Sequence, residues 1–163
     1  AGTELWKQPK IGGTGCWVKS LGCVDSELFP KVSDLLRELD FVGIGEISFL
    51  LDDNGNYKLV ELNARPWLQV GLAKVAGFSI VYAYYCVLVD IKMPDVIPQK
   101  DKVWVNFERM LLAAGSGEYG SRVGALWTVF KVLCRADYVA VWNSLIPGLR
   151  YRWVRNLIFK VFK

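Results

Sequence analysis

The 163-residue sequence predicts an α+β fold, an antiparallel sheet with covering helices. Three observations predict it. An acidic turn, Asp52-Asp53-Asn54-Gly55-Asn56, joins two apolar runs, and Asn-Gly in that setting is the strongest short-range hairpin signal. Apolar residues at helical spacing mark segments on either side of the hairpin. The composition, 53% hydrophobic and 22% charged, is that of a chain able to bury a core, and the length suffices for one domain.

Along the chain, residues 11–15 (IGGTG) form a flexible loop and 16–20 a strand. Over 26–39, Leu28, Val32, Leu35, Leu36 and Leu39 recur at helical spacing, with Ser26 as cap and Pro30 in the first turns. Strands follow at 41–51 and 57–65. Residues 67–77 form a helix closed by Gly77, and 79–89 form another. The uncharged run 75–89 falls short of the ~20 residues a membrane-spanning helix needs, so it is assigned to a core helix. A Pro-rich loop (93–101) precedes a strand at 103–108. The segment FERMLLAA (107–114) and most of 121–142 are helical. Pro147-Gly148 breaks the chain before a last helix. Three parts result: 1–98, a C-terminal α+β extension at 99–147 packed on it, and a basic amphipathic helix at 148–163.

Histidine is absent, which excludes His-based zinc sites, Ser-His and Cys-His nucleophiles, and histidine proton shuttles. Cys16, Cys23, Cys86 and Cys134 show no C-x-x-C spacing; buried free thiols in a reduced, cytoplasmic compartment are expected. The N-terminus has no apolar signal-peptide core and no initiator Met, as expected of a processed chain or one cut from something longer. The charge of +4 is uneven: residues 148–163 carry +5 and the remainder about −1. In that tail Trp153, Val154, Leu157, Ile158, Val161 and Phe162 form an apolar stripe. Arg152, Arg155, Asn156, Lys160 and Lys163 lie largely off it. Docking on the domain's own core or on a second subunit is the first expectation, an anionic membrane surface the second. No nucleic-acid recognition motif accompanies the charges. Gly115-Ser-Gly117-Glu-Tyr-Gly120 matches G-x-G-x-x-G but follows a helix rather than a strand, so a loop is the better assignment.

The hairpin carries the chemistry. Alternation along the second strand puts Glu61, Asn63 and Arg65 on one face with Tyr57 and Leu59. With Asn54-Gly55 as a two-residue loop, Leu50 lies across from Leu59, Ser48 from Glu61, and Glu46 from Asn63. Carboxylate, amide and hydroxyl oxygens are hard donors of the kind Mg²⁺ takes alongside water and phosphates. Arg65 supplies a planar fork for phosphate or carboxylate, and Pro66 biases it to an extended conformation. Spacing alone leaves a solvent-facing strand end with an ordinary ion pair equally open.

The run 41–77, with FVGIGEISFLLDDNGNYKLVELNARPW at its heart, resembles the second half of an ATP-grasp domain. The carboxylate–amine ligase branch is the most similar, and the resemblance extends back through QPKIGGTGCWVKS. It implies ATP- and Mg²⁺-dependent joining of a small-molecule carboxylate and an amine through an acyl-phosphate. By position, Glu61 and Asn63 would bind magnesium, with Glu61 bridging two ions. Arg65 would hold the transferred phosphoryl group or the acyl-phosphate. At Gly12-Gly13-Thr14-Gly15 a simple turn is the first expectation, and backbone N–H groups at Gly12 and Gly13 approaching phosphate the second. Two departures stand out. Ser48 occupies a position where the family usually has a carboxylate, with Glu46 as its candidate replacement. The first half of the unit, with its lysines and hinge strand, is missing, so this chain alone is expected to be inactive without that N-terminal partner. The alternative is a non-catalytic, degenerate module whose basic tail engages a membrane or protein.

Overall fold

The structure, a computed structural model, describes residues 1–140; the helix expected at 148–163 lies outside them. The chain is mixed α and β, and its main sheet is mostly antiparallel. Strands β1 (Gly2–Gln8), β2 (Thr14–Leu21), β5 (Lys100–Asn106) and β6 (Tyr138–Ala140) form that sheet in the order β1-β2-β5-β6. β1, β2 and β5 pair antiparallel, and β6 joins β5 parallel. A separate two-stranded sheet is the hairpin β3 (Glu46–Leu51) and β4 (Tyr57–Asn63). Helices α1 (Leu28–Glu38), α2 (Val70–Val75), α3 (Ile80–Leu88), α4 (Phe107–Ser116) and α5 (Arg122–Leu133) complete the described elements.

Both faces of the main sheet are covered. On one, Cys16 and Val105 meet Met110, Ala113 and Ala114 of α4 and Ala125, Val129 and Val132 of α5. The small residues at 113, 114 and 125 let the two helices approach closely, which is why a short pair can close this face. On the other, Val18 and Trp104 pack with Leu72 of α2 and Ala140 of β6. Trp104 is fully buried and anchors α2, the segment that leaves the hairpin. Residues on both sides of position 98 therefore share one sheet and one core.

Local chemistry explains where the elements depart from expectation. α1 begins at Leu28, and Ser26 is not its cap. Asp25 serves instead: its carboxylate accepts the Glu27 N–H (2.8 Å) and its carbonyl those of Leu28 and Phe29. α3 is not a core helix. Ser79 caps it through the Tyr82 N–H, and only Cys86 is buried, with Val81, Tyr82, Tyr85, Val87 and Leu88 exposed. The helix expected over 121–142 ends at Leu133. Asp137 then donates its N–H to the Val103 carbonyl (2.9 Å) and accepts the Val103 N–H on its carboxylate (2.8 Å), which starts β6. Cys16 and Cys86 are buried free thiols as expected, whereas Cys23 and Cys134 are exposed. Burial pushes the Cys16 thiol up to about 11, marking it as core rather than nucleophile. Among the described residues no helix is long and apolar enough to cross a membrane.

Candidate functional site

Two irregularities set the site, and they cancel. The turn is a three-residue loop rather than the expected two. Asp52 donates its N–H to the Asn56 carbonyl, its own carbonyl accepts the Gly55 N–H, and Gly55 sits at φ +81°. That is a type I turn closed by a left-handed glycine. The Asp52 carboxylate accepts the N–H of Asn54 (3.0 Å) and of Asn56 (2.8 Å), and the Asn56 bond above all holds it below the usual carboxylate range. The longer loop pairs Leu51 with Tyr57, Leu50 with Lys58 and Phe49 with Leu59. Leu50 thus faces Lys58, not Leu59.

One residue further on, β4 bulges at Val60, and the pairing resumes as Ser48 with Glu61, Ile47 with Leu62 and Glu46 with Asn63. The extra loop residue and the extra strand residue offset each other, so the open end has the register the sequence predicts. The bulge also reverses the parity of β4. Tyr57 and Leu59 join Phe49 and Leu51 on the opposite face, where the Phe49 and Tyr57 rings meet edge-on at 6.2 Å. They do not share the Glu61 face, as simple alternation implies.

At the open end Glu46, Ser48, Glu61 and Asn63 stand on one face. Asn63 Nδ2 donates to Glu61 Oε1 (3.0 Å), and the Asn63 side chain favours the ionised form of the Glu46 carboxylate across from it. Glu46 is half-buried, and burial raises its carboxyl above the usual range. The Glu4 and Glu61 carboxylates push it further up, while the Asn63 side chain and Arg65 oppose them. Arg65 lies two residues beyond the end of β4, exposed, with its guanidinium donating to the Pro66 carbonyl (3.3 Å). It faces the site electrostatically but bends away from the strand expected to run through it.

Glu4 is the residue that sequence reasoning misses. It enters from β1, which carries no strong strand signal. Its carboxylate accepts the Gly15 N–H (3.0 Å) and pairs with Lys7 (2.8 Å). A Cβ at Gly15 would collide with that carboxylate, so the glycine is needed for the approach. Gln69, buried just after the Arg65 turn, donates to the Gly15 carbonyl (2.9 Å) and ties the exit of the hairpin to the main sheet. Gly12 and Gly13 lie in the β1–β2 turn. Gly13 has no room for a side chain against the Pro9 backbone, whereas Gly12 sits at φ +67° in open space. The second glycine motif is structural: Gly117 ends α4 in a left-handed conformation, and Tyr119 beyond it docks on β1.

Among the described residues no three Asp, Glu or Cys side chains converge as a metal-holding group. A cation here would draw on a mixed set: the Glu61 and Glu46 carboxylates, the Asn63 amide oxygen, the Ser48 hydroxyl, and water or phosphate. That donor chemistry suits Mg²⁺, which keeps several non-protein ligands. Comparison with protein-family models, with curated proteins and with solved structures yields no match.

Proposed function

We propose that this chain is the magnesium- and phosphate-handling part of an ATP-dependent carboxylate–amine ligase of the ATP-grasp type. The observation that carries the reading is the hairpin register, which sets Glu46 across from Asn63 and Ser48 across from Glu61 at the open end of the ribbon. Glu61 and Asn63 would hold the cation, with Glu46 beside them, and Arg65 would orient a phosphoryl oxygen through its planar fork. Bound magnesium would neutralise charge on the nucleotide phosphates. The protein's own part is positional: Asn63 holds the Glu61 carboxylate in place, and Gln69 fixes the turn from which Arg65 projects. Gly12, exposed in the β1–β2 turn, is the better of the two glycines for backbone approach to phosphate.

Ser48 favours a second reading, a module that binds a nucleotide without turning it over. A hydroxyl opposite Glu61 contributes less charge than a carboxylate would. The full chain titrated with Mg²⁺ and then with Mg·ATP tests the site. Binding is expected, and Glu61→Gln is expected to remove it with the fold intact; unchanged binding in that variant would sink the assignment. ATP turnover in the presence of the N-terminal half separates ligase from module.

A further inference from the structure

Helix α5 presents apolar side chains on two sides. Ala125, Val129 and Val132 are buried against α4 and the sheet. Val123, Leu126, Trp127 and Phe130 are 80%, 46%, 56% and 56% exposed. Their i, i+3, i+4, i+7 spacing gathers them into one outward stripe. The rings of Trp127 and Phe130 stack at 5.4 Å, and Lys131 Nζ lies 5.4 Å from the Trp127 ring centre. At a helical step of ~100° per residue, Arg122 and Lys131 fall on opposite borders of the stripe, and Arg135 follows in the turn just past the helix end, exposed. No carboxylate occurs anywhere from 122 to 135.

A helix apolar on both sides belongs between two apolar phases. One is the protein core. We propose that the other is an anionic phospholipid surface, with α5 lying in the boundary between headgroups and acyl chains. Val123, Leu126, Trp127 and Phe130 enter that boundary, while Arg122, Lys131 and Arg135 meet the headgroup phosphates and carboxylates. The uniform sign of the borders selects this occupant over a second copy of the chain. Two such faces brought together would oppose cation to cation, whereas an anionic surface neutralises every one of them. A Trp–Phe–Leu stripe flanked by Lys and Arg is also the composition of helices that lie in a membrane interface. The +5 charge of residues 148–163 adds to the same attraction. The inference is independent of the magnesium site.

Flotation of the full 163-residue chain with vesicles tests it. The chain is expected to float with phosphatidylcholine vesicles containing about 30 mol% phosphatidylserine and not with phosphatidylcholine alone. Raising the salt should weaken the association. The double variant Trp127→Ser/Phe130→Ser should lower the bound fraction roughly fivefold or more, and Lys131→Glu, which reverses a border charge, should lower it as well. Val81→Ser/Tyr85→Ser on the exposed face of α3 should leave it unchanged. Circular dichroism confirms that each variant folds, as surface positions allow. Equal flotation of wild type and the double variant would overturn the proposal, because the lipid contact would then lie elsewhere. No flotation of the wild type, or flotation independent of phosphatidylserine, would overturn it too. So would a dimer in solution that dissociates in the double variant while lipid binding is absent.

Discussion

At the scale of single residues, Glu46 is the candidate cation ligand whose carboxyl the surroundings push upward. Burial, with Glu4 and Glu61 nearby, raises its folded-state pKa. Its proton is held more tightly in the folded than in the unfolded chain. The stabilising contribution is therefore complete below the unfolded carboxylate value and is lost as pH rises through the raised folded value. Cation binding runs in the opposite direction, because only the ionised carboxylate is a ligand. Mg²⁺ affinity, measured by titration calorimetry across that window, should rise with pH, and Glu46→Gln should flatten the rise. The same variant should weaken Mg²⁺ binding more than Ser48→Ala does. The reverse order would mean that the hydroxyl opposite Glu61, and not Glu46, supplies the second donor.

At the scale of elements, the loop after α4 acts as a latch. The Tyr119 hydroxyl accepts the Lys7 N–H and donates to the Lys7 carbonyl, both at 2.8 Å, and its ring stacks on Trp6 at 4.4 Å. Lys10 reaches the neighbouring Glu118 carbonyl (3.0 Å), and Arg109 reaches the Gln8 carbonyl (3.3 Å). This edge of the sheet is held by the α4–α5 connection. Tyr119→Phe, which keeps the ring, should cost about 1 kcal/mol, whereas Tyr119→Ala should cost roughly 3 kcal/mol. Chemical denaturation of the two variants checks the ranking, and equal losses would put all the stability in the hydroxyl. This latch also shows where sequence reasoning stops. Tyr119 finds its partner 112 positions away, and no local pattern announces the pairing. β1 and β6 are illegible for the same reason, since Asp137 becomes the start of a strand only once Val103 is beside it. The hairpin is legible because its signals are local: Asn54-Gly55 for the turn and period two for the faces. Even there the register at the open end came out as expected only because a longer loop and the bulge at Val60 offset each other, and the faces of Tyr57 and Leu59 did not.

At the scale of the whole molecule, the fold divides into a well-buried sheet and a lightly anchored hairpin. β2 and β5 are sealed on both faces, by α4 and α5 on one side and α2 on the other. β3 and β4 hold no buried residue, and Leu50, Leu51, Leu59 and Val60 are all exposed. Among the described residues, the hydrogen bonds that brace the hairpin from outside are few: Tyr57 to Asp25 at 3.4 Å, and the Gln69–Gly15 bond just past its exit. An isolated two-stranded ribbon is marginal on its own, so this one should open without unfolding the sheet. Native-state hydrogen exchange should find the β3 and β4 amides less protected than those of β2 and β5 by roughly a hundredfold or more. If the open end of the hairpin binds Mg²⁺ through Glu61 and Asn63, saturating cation should raise protection in β3 and β4 while leaving β2 and β5 unchanged, and Glu61→Gln should abolish that gain. Equal protection of the two sheets without cation would show that contacts beyond the described residues secure the hairpin. A gain spread evenly over both sheets would place the cation somewhere other than the Glu46–Asn63 end. The opening equilibrium and the candidate site are thus tied to the same four side chains, so a single exchange experiment reads both.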